Sequence, residues 1–569
     1  MAVKIPRPEH PRPQMKRLFW QNLNGEWQYA TDRGRSGQAR GLYKADSLPE
    51  KIIVPFCRES VLSGIGDTDF CDMVWYRREF EIDKRWMQGD KRVILHVDAC
   101  DYISRVWVNG QYVGKHIGGY VPFSFDITDK LTDGTQVVTI SAEDDVRSGN
   151  QPAGKQSMRY ESYGCSYTRT TGIWQTVWYE VVPVNYIKTV KYFPDIQGKR
   201  LTVEAKCAAE DGMKICGKAS FNGKEMGVGE ATVVGGHAIF DINLDELYLW
   251  EIGDGRLYDL KLTLGEDTVE SYFGMRSVSV KDGALLLNGK KVFQRLILDQ
   301  GFYPDGIYTA PDDYELVSDI LRSIYCGFNG ARLHQKIFEP RFLYHCDRLG
   351  YIVWGEHANW CLDISRPEAY ANFLPEWLEA MERDFNHPAI IGWCPLNETQ
   401  PNQNNDFLRA LGALTKAYDP TRLYIDTSGW RHVDGVTDIM DWHDYDQNPE
   451  TFRARYEALC KDGTPISENR RNAFSIKPTF ISEYGGIRWA PDYAGWGYGE
   501  APKSEEEFIE RFRGLTDALL DNPFITGLYY TQLTDVEQEV NGLYTYDRKA
   551  KFDPAIFKAI LSRKAAIEE

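Results

Sequence analysis

Two short apolar runs in the second half of the chain each deliver a glutamate. Ala389-Ile390-Ile391-Gly392-Trp393 leads into Leu396-Asn397-Glu398, and Thr479-Phe480-Ile481 leads into Ser482-Glu483-Tyr484. Two carboxyls facing each other across one pocket can hydrolyse a glycoside: one must hold a proton for the leaving oxygen, and the other must stay ionised to attack the anomeric carbon. Residue type alone does not say which glutamate takes which part. An isolated glutamate at a strand end is ordinarily a solvated or salt-bridged rim residue, so the reading depends on its company. Neighbouring runs also end in polar groups: Leu298-Asp299-Gln300, Arg332-Leu333-His334-Gln335, Gly355-Glu356-His357, Thr427-Ser428-Gly429-Trp430, His443-Asp444-Tyr445 and Thr531-Gln532-Leu533-Thr534-Asp535.

These runs belong to a region, from about residue 277 onward, where short strands alternate with amphipathic helical stretches such as Asp312 to Tyr325 and Pro340 to Leu349. With a first strand near Val292 to Ile297, a fifth at Leu423 to Asp426 and a sixth at Ile439 to Trp442, eight strands are predicted, the pattern of a (β/α)8 TIM barrel. In that fold the residues just past the strands line the active site, and glutamates after the fourth and seventh strands face each other. The first part of the chain reads differently. From about residue 20 to 182, alternating strands such as Trp75 to Phe80, Val93 to Val97 and Val137 to Ile140 are separated by turn signals, including Asn109-Gly110. The same style continues with shorter units from 183 to 276, predicting a second, immunoglobulin-like β-sandwich. A chain of 569 residues is long enough for several cores, and the predicted domains are 1–182, 183–276 and a catalytic barrel over 277–569.

Composition narrows the function further. Asp and Glu outnumber Lys and Arg by 83 to 66, a net charge of −17 that repels phosphate backbones, so no nucleic-acid partner is expected. The N-terminus lacks the apolar core of a secretory signal and no long apolar run follows, so no membrane association and a cytoplasmic location are expected, although a removed signal peptide would leave the same sequence. The 11 cysteines are scattered without a C-x-x-C pair, which suggests neither a disulfide framework nor a zinc ribbon. No cofactor and no metal are called for. Sixteen Trp and 33 Tyr suit stacking on sugar rings, though β-rich proteins carry many aromatics anyway.

Arg383-Asp384-Phe385-Asn386-His387-Pro388, followed by Trp393-Cys394-Pro395-Leu396-Asn397-Glu398, resembles the acid/base signature of glycoside hydrolase family 2, and Phe480-Ile481-Ser482-Glu483-Tyr484-Gly485 resembles that family's nucleophile motif. The resemblance extends along the chain. Val74 to Arg78, Val106 to Gly110, Gly118 to Phe123 and Thr171 to Trp178 are similar to the family's jelly-roll module, and Phe273 to Arg276 to its junction into the barrel. It implies a retaining, exo-acting β-glycosidase with Glu398 as acid/base, Glu483 as nucleophile and a covalent glycosyl-enzyme intermediate. Asn397 would hold the sugar 2-hydroxyl, Tyr445 would contact the nucleophile, and Arg332 and His334 would stand near substrate and nucleophile, with a structural ion pair an equal reading for Arg332. Asp299, Glu356 and Trp430 are subsite candidates by position, and His443 joins them from the run before Tyr445.

For the sugar, the family's β-glucuronidases carry an Asn-x-Lys motif after the eighth strand, where this chain has Glu537-Gln538-Glu539-Val540-Asn541-Gly542-Leu543. Asn-x-Lys does occur at Asn222 to Lys224 and Asn288 to Lys290, but in turns outside the barrel mouth. An acidic pocket would repel a uronate, so a neutral sugar is expected, galactose first. Other family 2 specificities (β-glucuronidase, β-galacturonidase, arabinosidase, mannosidase), transglycosylation and a non-catalytic carbohydrate-binding protein stay open. Asp299 to Tyr303 replaces a run common after the family's first strand, and a homo-oligomer is possible.

Overall fold

The computed structural model describes residues 5–400, 402–433, 435–462 and 477–569. The first sandwich pairs a six-stranded antiparallel sheet, in the order Glu50–Val54, Gly25–Thr31, Met73–Phe80, Gln136–Glu143, Ile103–Val108, Gln111–Ile117, with a four-stranded one, Trp20–Asn22, Val177–Pro183, Lys91–Val97, Phe123–Asp126. Their inward residues, among them Val74, Tyr76, Leu95, Val106, Ile140 and Val181, form one core. Asn109 and Gly110 turn the last hairpin with φ of 51° and 74°, the left-handed pair that a tight hairpin turn requires.

A second sandwich packs the strands Tyr186–Asp195, Arg200–Ala208 and His237–Asn243 against Lys224–Thr232, Lys214–Phe221, Tyr258–Leu264 and Asp267–Phe273. Both hairpins carrying the Asn-x-Lys triplets lie away from the barrel mouth, with Lys224 paired to Glu246 and Lys290 to Glu251. The described cysteines are free thiols; the side chain of Cys460 lies outside the described residues.

A small sheet, Val278–Lys281, Ala284–Leu287 and Lys290–Lys291, precedes the barrel. The barrel strands are β1 (Gln294–Asp299), β2 (Gly330–Leu333), β3 (Ile352–Glu356), β4 (Ile390–Cys394), β5 (Leu423–Tyr424), β6 (Met440–Asp444), β7 (Thr479–Gly485) and β8 (Ile525–Thr531). They pair in parallel in the order β5-β4-β3-β2-β1-β8-β7-β6. Helices α1 (Asp313–Tyr325) to α7 (Pro554–Leu561) alternate with them: α2 (Pro340–Leu349), α3 (Pro367–Asp384), α4 (Asn405–Tyr418), α5 (Pro449–Asp462) and α6 (Glu505–Leu520). Asp312, Asn404, Ser504 and Asp553 cap four of them by accepting a backbone N–H in the first turn.

Four strands depart from expectation in ways that shape the site. β1 starts two residues later than predicted because Lys290–Lys291 belongs to the preceding sheet. β5 is cut to two residues: the seam between β5 and β6 is joined by Asp438 N–H to Tyr424 O at 2.8 Å and by His432, which sits between Asp426 (2.7 Å) and Asp441 (3.0 Å). β6 runs on through His443 and Asp444, and β7 through Glu483, so residues read as lying after the strands lie within them. Buried ion pairs satisfy these polar side chains, so the ladder need not end where hydrophobicity does.

Candidate active site

Register brings the two halves of the site together. β6 and β7 pair Trp442 with Ile481 and then His443 with Glu483, so Ser482 is an extra residue on β7, and the β7–β8 ladder is irregular over the same stretch. A bulge of this kind re-aims the following side chain; here it sets Glu483 beside His443. On the facing side, Asn397 bridges Ser428, and Glu398 N–H donates to Ser428 O at 2.8 Å. Glu398 has φ 49°, the left-handed region that a side-chain-bearing residue occupies at a cost of about 1–3 kcal/mol, held by these flanking bonds.

One oxygen of Glu398, one of Glu483 and a ring nitrogen of His443 lie within 4.8 Å of one another. His443 Nδ1 is 2.7 Å from Glu398 Oε1 and its Nε2 is 3.3 Å from Glu483 Oε1. Gly429, with φ 98°, leaves room for that ring, since a Cβ there would stand 2.5 Å from His443 Cε1. The spacing of the three groups could chelate a cation, but the Arg332 guanidinium already brings positive charge to Glu483.

Arg332 lies at the centre of the polar cluster. It donates to Glu356 Oε2 at 2.6 Å, Glu483 Oε1 at 2.9 Å and Asn397 Oδ1 at 2.6 Å, so the ion-pair and the site readings both hold for it. Tyr445 donates to Glu483 Oε2, and burial together with that carboxylate pushes its phenol well above the ordinary range, so it remains a donor. The Tyr445 ring stacks on Tyr498 at 3.4 Å. Two fixed donors therefore orient the Glu483 carboxylate. Glu398 lies in a different setting. Burial raises its pKa, but the hydrogen bond and charge of His443, then Lys155 and Arg332, outweigh it and hold the carboxyl below the usual range. It opens onto a cleft of about 440 Å³ lined by Asn359, Trp360, Gln403 and Trp430.

The remaining expected residues divide. Asn397 fixes its carbonyl oxygen on Arg332 and its backbone N–H on Asn359 Oδ1 (2.8 Å), which leaves its buried Nδ2 without a partner and free to donate to a hydroxyl. Glu356 and His334 stand behind the cluster: Glu356 accepts from Arg332 and from Gln335 N–H, and His334 Nδ1 is 3.0 Å from Glu356. Burial, then Lys155 and Arg332, keep His334 neutral. Trp430 is an exposed wall of the cleft. Asp299 does not join the pair. Its Oδ1 accepts from Gly301 N–H at 2.9 Å, and burial with Asp319 nearby pushes its carboxyl up to about 6.

Sequence reasoning passed over Lys155, Trp360 and Tyr498. Lys155 lies between Glu143 and Gly172, a stretch of the first sandwich whose length without a regular strand is itself a functional signal in a compact domain. This loop docks on the barrel: Ala153 N–H donates to Trp360 O at 2.9 Å, and Gly154, with φ 58°, lies so close to Gln335 O that a Cβ would meet it at 2.3 Å. The acids after β8 are engaged by the same loop. Glu537 accepts from Thr168 N–H at 3.0 Å, and Glu539 accepts from the Tyr167 hydroxyl. They do not form the open acidic rim that motivated a neutral sugar.

The sequence profile described as "Glycosyl hydrolases family 2, sugar binding domain" matches residues 67–147, and "Glycosyl hydrolases family 2, TIM barrel domain" matches 278–559. Over 478 residues the chain is 28% identical to β-glucuronidase of Rattus norvegicus, covering 73% of this chain and 69% of that one. Over 458 residues it is 26% identical to a β-galactosidase of Thermoanaerobacter pseudethanolicus, covering 75% of this chain and 58% of that one. The β-glucuronidase structure from Ruminococcus gnavus superposes on 98% of this chain and 100% of its own with a TM-score of 0.81 at 18% identity, which speaks for the shared fold.

Proposed function

Since the chain belongs to glycosyl hydrolase family 2, and is thereby a glycoside hydrolase, we propose that it is a retaining, exo-acting β-glycosidase with Glu483 as nucleophile and Glu398 as acid/base. The observation that carries this reading is the contrast between two carboxylates with one oxygen of each within 4.8 Å of the other, a close approach that favours retention. One is clamped by Arg332 and Tyr445; the other opens onto the cleft. Glu483 attacks the anomeric carbon while Glu398, carrying a proton in this step, gives it to the leaving oxygen. Water then enters, gives its proton back to Glu398, and displaces Glu483 from the sugar. Asn397 Nδ2 supplies a donor to a ring hydroxyl, a contact that tightens as the ring flattens.

The sugar belongs to this proposal too. The relatives include both β-glucuronidases and a β-galactosidase, and the structural neighbours named for activity are β-glucuronidases, which moves the reading from galactose toward a uronide. A panel of p-nitrophenyl β-glycosides tests all of it. Glu483→Ala should lose at least ~10⁴-fold in kcat on every substrate. Glu398→Ala should keep the first step for the activated aryl group and recover turnover with azide, giving the retained-configuration glycosyl azide. Azide rescue of the Glu483 variant instead would reverse the roles, and a wild-type chain that turns over no sugar would leave a carbohydrate-binding protein.

A further inference from the structure

The first sandwich sends one cation into the barrel mouth. Lys155 is buried, and its ammonium lies over the Trp360 ring, 3.9 Å from Nζ to the centroid, with no hydrogen bond or ion pair to another described residue. Three other cations near the barrel mouth are committed. Arg332 is spent on Glu356, Glu483 and Asn397, Lys336 on the carbonyls of Gly301 and Tyr308, and Lys551 on Asp535 at 2.6 Å. An ammonium with three donors and no acceptor is costly to bury, so a site that keeps one holds it for a ligand.

The neighbourhood says what kind of ligand. Burial opposes its charge, but Cys165, then Glu539, Glu483 and Glu398, act electrostatically on Lys155 and hold its pKa above the ordinary value. A neutral sugar would leave that cation without a direct partner. An acidic sugar, without the lysine, would be repelled by the same three carboxylates. The loop that carries Lys155 also engages the acids after β8, through Thr168 N–H and the Tyr167 hydroxyl. The charge that Glu537 to Leu543 lacks at the pocket is thus supplied by a different stretch of chain, and its position is fixed: Gly154 and Ala153 dock on the loop after β3, and Lys155 O accepts from Tyr167 N–H at 2.7 Å.

We propose that Lys155 is the specificity-determining residue that pairs with the carboxylate of a terminal uronate sugar, so that the pocket is completed by the first sandwich. This rests on the glycosidase reading of the pocket, but its test does not depend on turnover. Calorimetric titration of the full chain with D-glucuronate and D-galacturonate, against D-glucose and D-galactose, should show the wild type preferring a uronate over its neutral counterpart by roughly tenfold or more. Lys155→Met should weaken uronate binding by roughly 100-fold while neutral sugars stay within about twofold, the pattern of losing one partner of a buried charge pair. Lys155→Arg, which keeps the charge and guards against a folding defect, should retain a measurable uronate preference. A wild type that binds neutral sugars as well as uronates, or a Lys155→Met chain that weakens both alike, overturns the assignment and leaves the lysine as a counter-charge to the glutamates. Uronate binding that needs Lys155 but comes with no hydrolysis of any glycoside would count against the proposed reaction and not against the lysine.

Discussion

Tyr258–Leu264 in the second sandwich and β7 in the barrel are both seven-residue strands, yet they are buried by different rules. In the first, Tyr258, Leu260, Leu262 and Leu264 point inward while Asp259 and Lys261 are exposed, the period-two pattern of a sheet with one wet face. In β7 every residue is buried, Ser482 and Glu483 included. The sandwich strand is held by apolar area, and each side chain contributes nearly on its own. The barrel strand carries a charge that is tolerable only because Arg332, Tyr445 and His443 surround it. Removing one group should therefore act locally in the sandwich and collectively in the mouth.

Arg332→Met gives the largest expected effect on that contrast. It leaves Glu356 and Glu483 buried without their guanidinium, for a stability loss of about 3–5 kcal/mol and a fall in kcat of at least ~100-fold. Chemical denaturation and steady-state kinetics read the two together, and lost stability with unchanged kcat would reduce Arg332 to a strut. Leu260→Ala should cost about 2–5 kcal/mol by denaturation and leave kcat/KM unchanged at temperatures where the chain stays folded. A kinetic defect there would mean that the sandwich is coupled to the site.

The β5–β6 seam sharpens the comparison by pH. Burial lowers the pKa of His432, but Asp426 and Asp441 outweigh it and raise it to about 10. A raised folded-state pKa contributes stability that is fully present below the unfolded value near 6.5 and fades as pH climbs toward about 10. Melting curves of wild type and His432→Asn should accordingly differ most below about pH 6.5, by on the order of 1–3 kcal/mol, and converge in alkali. A gap that widens with pH would have the sign wrong.

Much of this was legible beforehand. Alternation in Tyr258–Leu264 shows which face of that strand is buried, and Asn109-Gly110 marks its hairpin, because local chemistry decides both. Glu398, Glu483, Asn397 and Tyr445 were reachable because they follow apolar runs inside recognisable motifs. The extension of β6 through His443 was not, since a bulge at Ser482 and a buried ion pair, neither visible in a hydrophobic pattern, keep the ladder going. Asp299 shares the strand-end position of Glu398 and Glu483, but its carboxylate turns to the Gly301 backbone. Lys155 was passed over because nothing in a loop of the first sandwich says which barrel loop it will meet.

The docking of Gly154 against Gln335 O has a consequence in time as well as in space. At roughly 5–20 residues per second, the ribosome takes on the order of tens of seconds to carry synthesis from Lys155 to the end of β8. The loop around Lys155 has no surface to settle on until Gln335 and Trp360 have been made and folded. Glu483 on β7 and Glu539 beyond β8 are among the last of these groups to be made, so the charged surroundings of Lys155 are complete only once those strands have paired. A nascent chain arrested before β8 would carry every residue of the loop without the Glu537 and Glu539 contacts that engage it.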